Sequence, residues 1–194
     1  MSRRAIFIDR DGTISEEVGY VNHPTRYRVF PFAAEAVKTI NEAGWLAVLV
    51  TNQAGVARGY FKEDLIQLIH DKLAQELARG DARLDAIYYC PHHPTVGALP
   101  YRTDCDCRKP KPGLITRAAT DLDIDLARSW MIGDRYGDTE LARNAGVRAA
   151  LVLTGYGRGE HEYQRDAWQH TPDLVAENLL EAVKEILRID PLIH

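Results

Sequence analysis

What this chain has little of narrows it first. Charge of one sign is not in excess, since 24 Lys and Arg stand against 28 Asp and Glu for a formal net charge of -4. There is no global attraction to nucleic acid or to an acidic membrane surface, so any anion site has to be local. A long apolar run is missing from the N-terminus, where Ala5-Ile6-Phe7-Ile8 meets an acid after four residues. That is too short for a signal-peptide core or a transmembrane helix, and the expectation is a cytoplasmic protein with no membrane partner. Internal repeats, low-complexity tracts, linkers and any stripe that reads as an interface are absent too, which leaves a monomer as the default. Cysteine is scarce. The three present, Cys90, Cys105 and Cys107, are odd in number and confined to eighteen positions, which argues against a disulfide framework.

What is there is an ordinary globular composition, 45% hydrophobic and 27% charged over 194 residues. The length suits one domain spanning 1–194 with a real core. Short β-prone apolar runs alternate with helical periodicity. Strands are expected at Ala5–Ile8, Trp45–Val50, Ala86–Tyr89, Trp130–Ile132 and Val147–Leu153. Helices are expected over about Phe32–Ala43, Lys62–Arg79, Pro112–Leu122, Asp138–Asn144 and Val175–Arg188. Ser15–Tyr27 reads as a loop over the sheet edge, Thr154–Gly159 as a Gly-rich loop, and His70, next to the apolar Ile69, as a surface or boundary residue. The alternation predicts an α/β fold with a doubly wound, Rossmann-like parallel sheet, whose chemistry sits at the strand carboxyl ends.

Cys90 to Pro112 is irregular and holds every cysteine. Cys90-Pro-His92 and Cys105-Asp-Cys107 offer thiolate and imidazole in two close pairs, a donor set that suits a four-coordinate structural zinc. His93 is the rival fourth ligand, and His92 is preferred because one intervening residue matches the other pair. The zinc loop then runs over about 90–109.

The first strand delivers Asp9 and Asp11 into the turn Asp11-Gly12-Thr13, and residues two apart along a strand face the same way. Two acids there suit a metal, or a nucleophile beside an acid/base, although Asp, Gly and Thr are also ordinary turn residues. Thr51 follows the second strand, Arg108-Lys109-Pro110 lies in the third connection, and Gly133-Asp134 with Asp138 follows the fourth strand. Mg²⁺ held by Asp9 and Asp134, with Thr51 and Lys109 around a phosphoryl group, accounts for all of them together.

D-R-D-G-T, T-N, K-P before a helix and G-D-x-x-x-D resemble the four motifs of the haloacid dehalogenase-like phosphatases. The stretches I-F-I-D-R-D-G-T, G-Y-V, T-N-Q-A-G-V-A-R-G, Y-Y-C-P-H-H-P and C-D-C-R-K-P-K-P-G narrow the resemblance to the zinc-loop branch, which holds the heptose bisphosphate phosphatases and histidinol-phosphate phosphatases. G-Y-V and T-N-Q-A-G-V-A-R-G favour the heptose side, with a role in supplying ADP- or GDP-heptose precursors for lipopolysaccharide or a related glycan. Neither the stretch from Asp11 to Thr51 nor that from Thr51 to Lys109 has room for a large inserted cap, and the resemblance implies a sugar bisphosphate substrate, catalytic Mg²⁺ and structural Zn²⁺. It makes Asp9 the nucleophile and Asp11 the acid/base. Mg²⁺ falls to the carboxylates of Asp9 and Asp134 and the backbone carbonyl of Asp11. Thr51 and Lys109 stabilise the phosphoryl group, and Asp138 supports the loop or a metal-bound water. Substrate contacts fall at Glu17, Val18, Gly19, Tyr20, Asn52, Gln53, Ala54, Arg108 and Arg135. Arg58 joins Arg108 as a candidate anchor for a second anionic group. Two other classes fit less well: a phospho-acceptor receiver domain places its acceptor on a later strand, and a zinc-stapled nucleic-acid module lacks basic clustering.

Overall fold

The structure, a computed structural model, describes residues 2–191. It contains one sheet of six parallel strands, β1 (Ala5–Ile8), β2 (Leu46–Asn52), β3 (Ala86–Cys90), β4 (Trp130–Gly133), β5 (Arg148–Val152) and β6 (Leu174–Ala176). Their spatial order is β3-β2-β1-β4-β5-β6. The helices are α1 (Ala33–Glu42), α2 (Glu63–Ala78), α3 (Gly113–Leu122), α4 (Tyr136–Ala145), α5 (Gly157–Tyr163) and α6 (Leu179–Ile189).

The unbroken apolar runs follow from burial on both faces. Along β1, Ile6 and Ile8 join one core cluster with residues of α1, α2 and α6, while Ala5 and Phe7 join a second with residues of α3 and α4. Helices therefore cover both sides, as a parallel sheet requires. The central strands carry much of the stability. Leu49 is fully buried, and Leu49→Ala would cost about 2–5 kcal/mol through lost transfer energy and the cavity left behind. Among the described residues no helix is long and apolar enough to cross a membrane.

The chain winds outward from β1 through β2 to β3, then returns to lay β4 on the other side of β1. That reversal opens a crevice between the carboxyl ends of β1 and β4, the switch point where such sheets bind ligands.

Three expectations are corrected. Residues 174–176 are not the start of a helix: they form β6, which pairs with β5, and α6 begins at Leu179 with the Asn178 side chain accepting from Glu181 N at 3.1 Å. The Gly-rich stretch after β5 is not all loop, because Gly157–Tyr163 is helical. His70 is buried rather than at the surface, its ring 5.8 Å from that of Tyr89 in an edge-on arrangement. Burial there holds it neutral, with its pKa lowered to about 4, and Arg10 adds to the effect.

Candidate active site

Asp9 follows β1 directly, and its backbone N–H donates to Ile132 O of β4 at 2.9 Å. That bond fixes the acid over the crevice. Asp134 follows β4 and is almost fully buried. One of its oxygens, Oδ2, accepts from Tyr156 N at 2.8 Å, while Oδ1 is buried without a partner. Gly12, at φ +84°, lies against this carboxylate, and a Cβ there would overlap it. Thr154 Oγ1 donates to Gly12 O at 2.6 Å and ties the loop after β5 to the same turn.

Lys109 reaches this floor from the third connection. Its ammonium lies 2.7 Å from Asp9 Oδ1 and 2.8 Å from Asp138 Oδ1, and it donates to Val50 O at 3.3 Å. Asn52 clasps the Lys109 backbone from both sides, accepting from its N–H at 3.0 Å and donating to its carbonyl at 3.2 Å. Burial opposes the Lys109 charge, but Asp138 and Asp9 outweigh it and raise the pKa. The acids are short of positive charge even so. Burial pushes Asp9 up to about 7 despite Lys109, and burial with the neighbouring Asp9 and Asp138 pushes Asp134 up to about 8. Carboxylate oxygens of Asp9, Asp134 and Asp138 lie within 4.8 Å of one another. Three hard oxygen donors, one of them buried and unpaired, fit a divalent cation such as Mg²⁺.

Asp11 stands apart from that group. Its carboxylate accepts from Arg10 Nε at 3.1 Å and Nη2 at 2.9 Å, and from Gln53 Nε2 at 3.0 Å. Gln53 Nε2 also donates to Thr51 Oγ1 at 2.9 Å. Thr51 and Asn52 belong to β2 itself rather than to a turn after it.

These residues line a cleft of about 550 Å³. Of the residues singled out in the sequence, Asp9, Asp11, Glu17, Gly19, Tyr20, Thr51, Asn52, Gln53, Ala54, Arg108, Lys109, Arg135 and Asp138 face it. Asp134 is buried and is not among the lining residues. Val18 packs against the core, and Arg58 is drawn to His93, its Nη2 being 3.2 Å from His93 Nε2. The sequence reading missed Tyr136, Tyr156, Glu160 and Gln164, which line the cleft from the start of α4 and from α5 and its two ends. Glu160 Oε2 accepts from Tyr136 N at 2.6 Å, locking α5 to the start of α4. Arg135 lies over the Tyr156 ring at 3.9 Å.

Cys90, His92, Cys105 and Cys107 converge, their donor atoms within 4.8 Å of one another. His93 instead accepts the backbone N–H groups of Thr95 and Val96, at 3.2 and 3.1 Å, so His92 is the imidazole of the cluster. Burial pushes the Cys90 thiol up to about 11. Thiolates packed this closely need a bound cation, and three sulfurs with one imidazole fit zinc. Arg108 Nη1 donates to His92 O at 3.2 Å, so the cluster also braces the cleft.

Acids ending β1 and β4, a threonine on β2 and a lysine from the third connection around one crevice define a HAD-like hydrolase, and the HAD-hydrolase-like family model matches residues 106–182. The D-glycero-D-manno-heptose-1,7-bisphosphate 7-phosphatase of Thermosynechococcus vestitus is 42% identical over 192 residues, 96% of each chain. The D-glycero-beta-D-manno-heptose-1,7-bisphosphate 7-phosphatase of Escherichia coli K12 is 42% identical over 153 residues, 78% of this chain and 80% of the other. Among solved structures, the D,D-heptose 1,7-bisphosphate phosphatase of B. bronchiseptica, complexed with magnesium and phosphate, superposes with a TM-score of 0.84 at 34% identity, covering 96% of this chain and 99% of that one. The chain belongs to the D-glycero-D-manno-heptose-1,7-bisphosphate 7-phosphatase family.

Proposed function

We propose that the chain is a Mg²⁺-dependent phosphomonoesterase that removes the 7-phosphate of D-glycero-D-manno-heptose 1,7-bisphosphate, working as a single-domain cytoplasmic monomer with a structural zinc. The observation that carries this reading is the buried, unpaired Oδ1 of Asp134 beside the Asp9–Lys109 ion pair. That floor has a nucleophile, a fixed cation and room for a second one. Mg²⁺, held by Asp9, Asp134 and the Asp11 carbonyl, supplies charge neutralisation at the phosphoryl oxygens.

Asp9 attacks phosphorus in line with the 7-oxygen, forming an aspartyl phosphate as the P–O bond to the sugar breaks. Asp11 gives its proton to the departing alkoxide. It then takes a proton from the water that attacks the aspartyl phosphate, which releases orthophosphate and restores Asp9. Lys109 and Thr51 hold the phosphoryl oxygens throughout. Arg108 and Arg135, on the cleft wall with Glu17, Gly19 and Tyr20, receive the sugar and its 1-phosphate. Arg58 is joined to His93 and is not among the residues that line the cleft.

Phosphate release with Mg²⁺ from both anomers of the heptose bisphosphate, from fructose 1,6-bisphosphate and from histidinol phosphate tests the assignment, with Asp9→Asn as control. One heptose anomer is expected to turn over fastest, leaving the 1-phosphate intact. Preference for histidinol phosphate would keep the mechanism and replace the substrate.

A further inference from the structure

Between the two acids of the first turn lies a residue for which the motif assigns no side-chain role. Arg10 is 2% exposed, and its guanidinium bonds to two residues that line the cleft, Asp11 and Gln53. Nε and Nη2 grip the two oxygens of Asp11 at 3.1 and 2.9 Å, and Nη2 also donates to Gln53 Oε1 at 2.8 Å. Gln53 completes a closed set by donating to Asp11 Oδ2 and to Thr51 Oγ1. The Tyr27 ring lies 5.6 Å from the guanidinium carbon, and Nη1 is buried without a partner. A buried ion pair is a poor device for stability alone, because apolar side chains of similar volume do as well. Two parallel bonds to one carboxylate, however, fix its plane as well as its place.

We propose that Arg10, with Gln53, is the positioning residue for Asp11. The clamp holds the Asp11 carboxylate toward the Gln53 side, away from the group formed by Asp9, Asp134 and Asp138. Asp11 is thereby reserved for moving protons. Without the clamp, a carboxylate in a glycine turn is free to rotate toward Lys109 or a bound cation, where it would compete with Asp9. The proposal rests on the acid/base reading of Asp11.

The test is a double-mutant cycle on the heptose bisphosphate in saturating Mg²⁺, with the fold of each variant checked by its melting transition. Arg10→Gln is expected to lower kcat roughly 10- to 100-fold with KM changed less than about threefold. In an Asp11→Asn background the same change should cost less than about twofold, because residues acting as one unit are not additive. Arg10→Lys keeps the buried charge, and with it the fold, but loses the parallel bonds. It should recover part of kcat and be equally silent beside Asp11→Asn, and it carries the test if Arg10→Gln does not fold. Full additivity, or an unchanged kcat in a folded variant, overturns the proposal. Wild-type kcat in Asp11→Asn overturns the acid/base reading instead, and this proposal with it.

Discussion

The ammonium of Lys109 lies 2.7 Å from Oδ1 of Asp9, and both groups are buried. Removing the lysine leaves Asp9, Asp134 and Asp138 with no fixed positive charge among them. Lys109→Met should lower kcat roughly 10²–10³-fold through lost charge stabilisation. It should also make the folded protein lean on the divalent ion, so that the rise in Tm on adding Mg²⁺ exceeds that of the wild type. A variant with unchanged kcat and an unchanged Mg²⁺ response would contradict this role.

The same lysine is joined to the Cys/His cluster through its neighbour. Arg108 bonds to the His92 carbonyl, and His92 belongs to the cluster with Cys90, Cys105 and Cys107. Stripping zinc, or making Cys107→Ser, should lower Tm and reduce kcat/KM by about tenfold or more, since small misplacements of positioning groups are costly. Unchanged kinetics in verified zinc-free protein would refute the link.

His70 gives the fold an acid limit. The unfolded chain binds a proton near the ordinary pKa of 6.5, while the buried ring resists protonation down to about pH 4. Stability from this residue is complete above pH 6.5, declines as pH falls, and is lost by about pH 4. The full swing is on the order of 3 kcal/mol. Urea melts at pH 7 and pH 5 should show a smaller pH-dependent loss for His70→Gln than for the wild type, and equal losses would count against it.

Gly12 has little freedom to be anything else. Its φ of +84° is unfavourable for other residues, and a methyl would overlap the Asp134 carboxylate. Gly12→Ala should cost about 1–2 kcal/mol in backbone strain and weaken Mg²⁺ binding by displacing Asp134. Titration calorimetry with Mg²⁺ checks this, and wild-type affinity would argue against the packing account.

How far the sequence was legible follows from where each signal comes from. β1, β2 and β4 stood out because both of their faces are buried, which writes an unbroken apolar run ending in polar residues. Asp9 and Asp134 stood out because they follow β1 and β4 at once, whereas Lys109 comes from the connection between β3 and α3. β6 did not stand out, since three residues at the sheet edge lie next to an amphipathic helix whose pattern extends back over them. Asn178 with Glu181 was the cap signal that marks the true start of α6. α5 was hidden by Gly157 and Gly159, which read as loop. In the fold, a Cβ on Gly157 would strike Val152 O, so close packing rather than turn geometry explains that glycine. With α5 unseen, Tyr156, Glu160 and Gln164 could not be placed on the cleft wall. Arg10 carried no periodic signal, and only the buried geometry reveals its hold on Asp11.

The central claim is that Asp9 is the atom-bonding nucleophile. It is tested most directly by quenching steady-state turnover of the heptose bisphosphate with borohydride, which reduces an acyl phosphate to an alcohol, and mapping the product by peptide mass spectrometry. Residue 9 should appear as homoserine only when Mg²⁺ and substrate are both present. Homoserine at Asp11 instead, or labelling at neither acid during rapid turnover, would contradict the account.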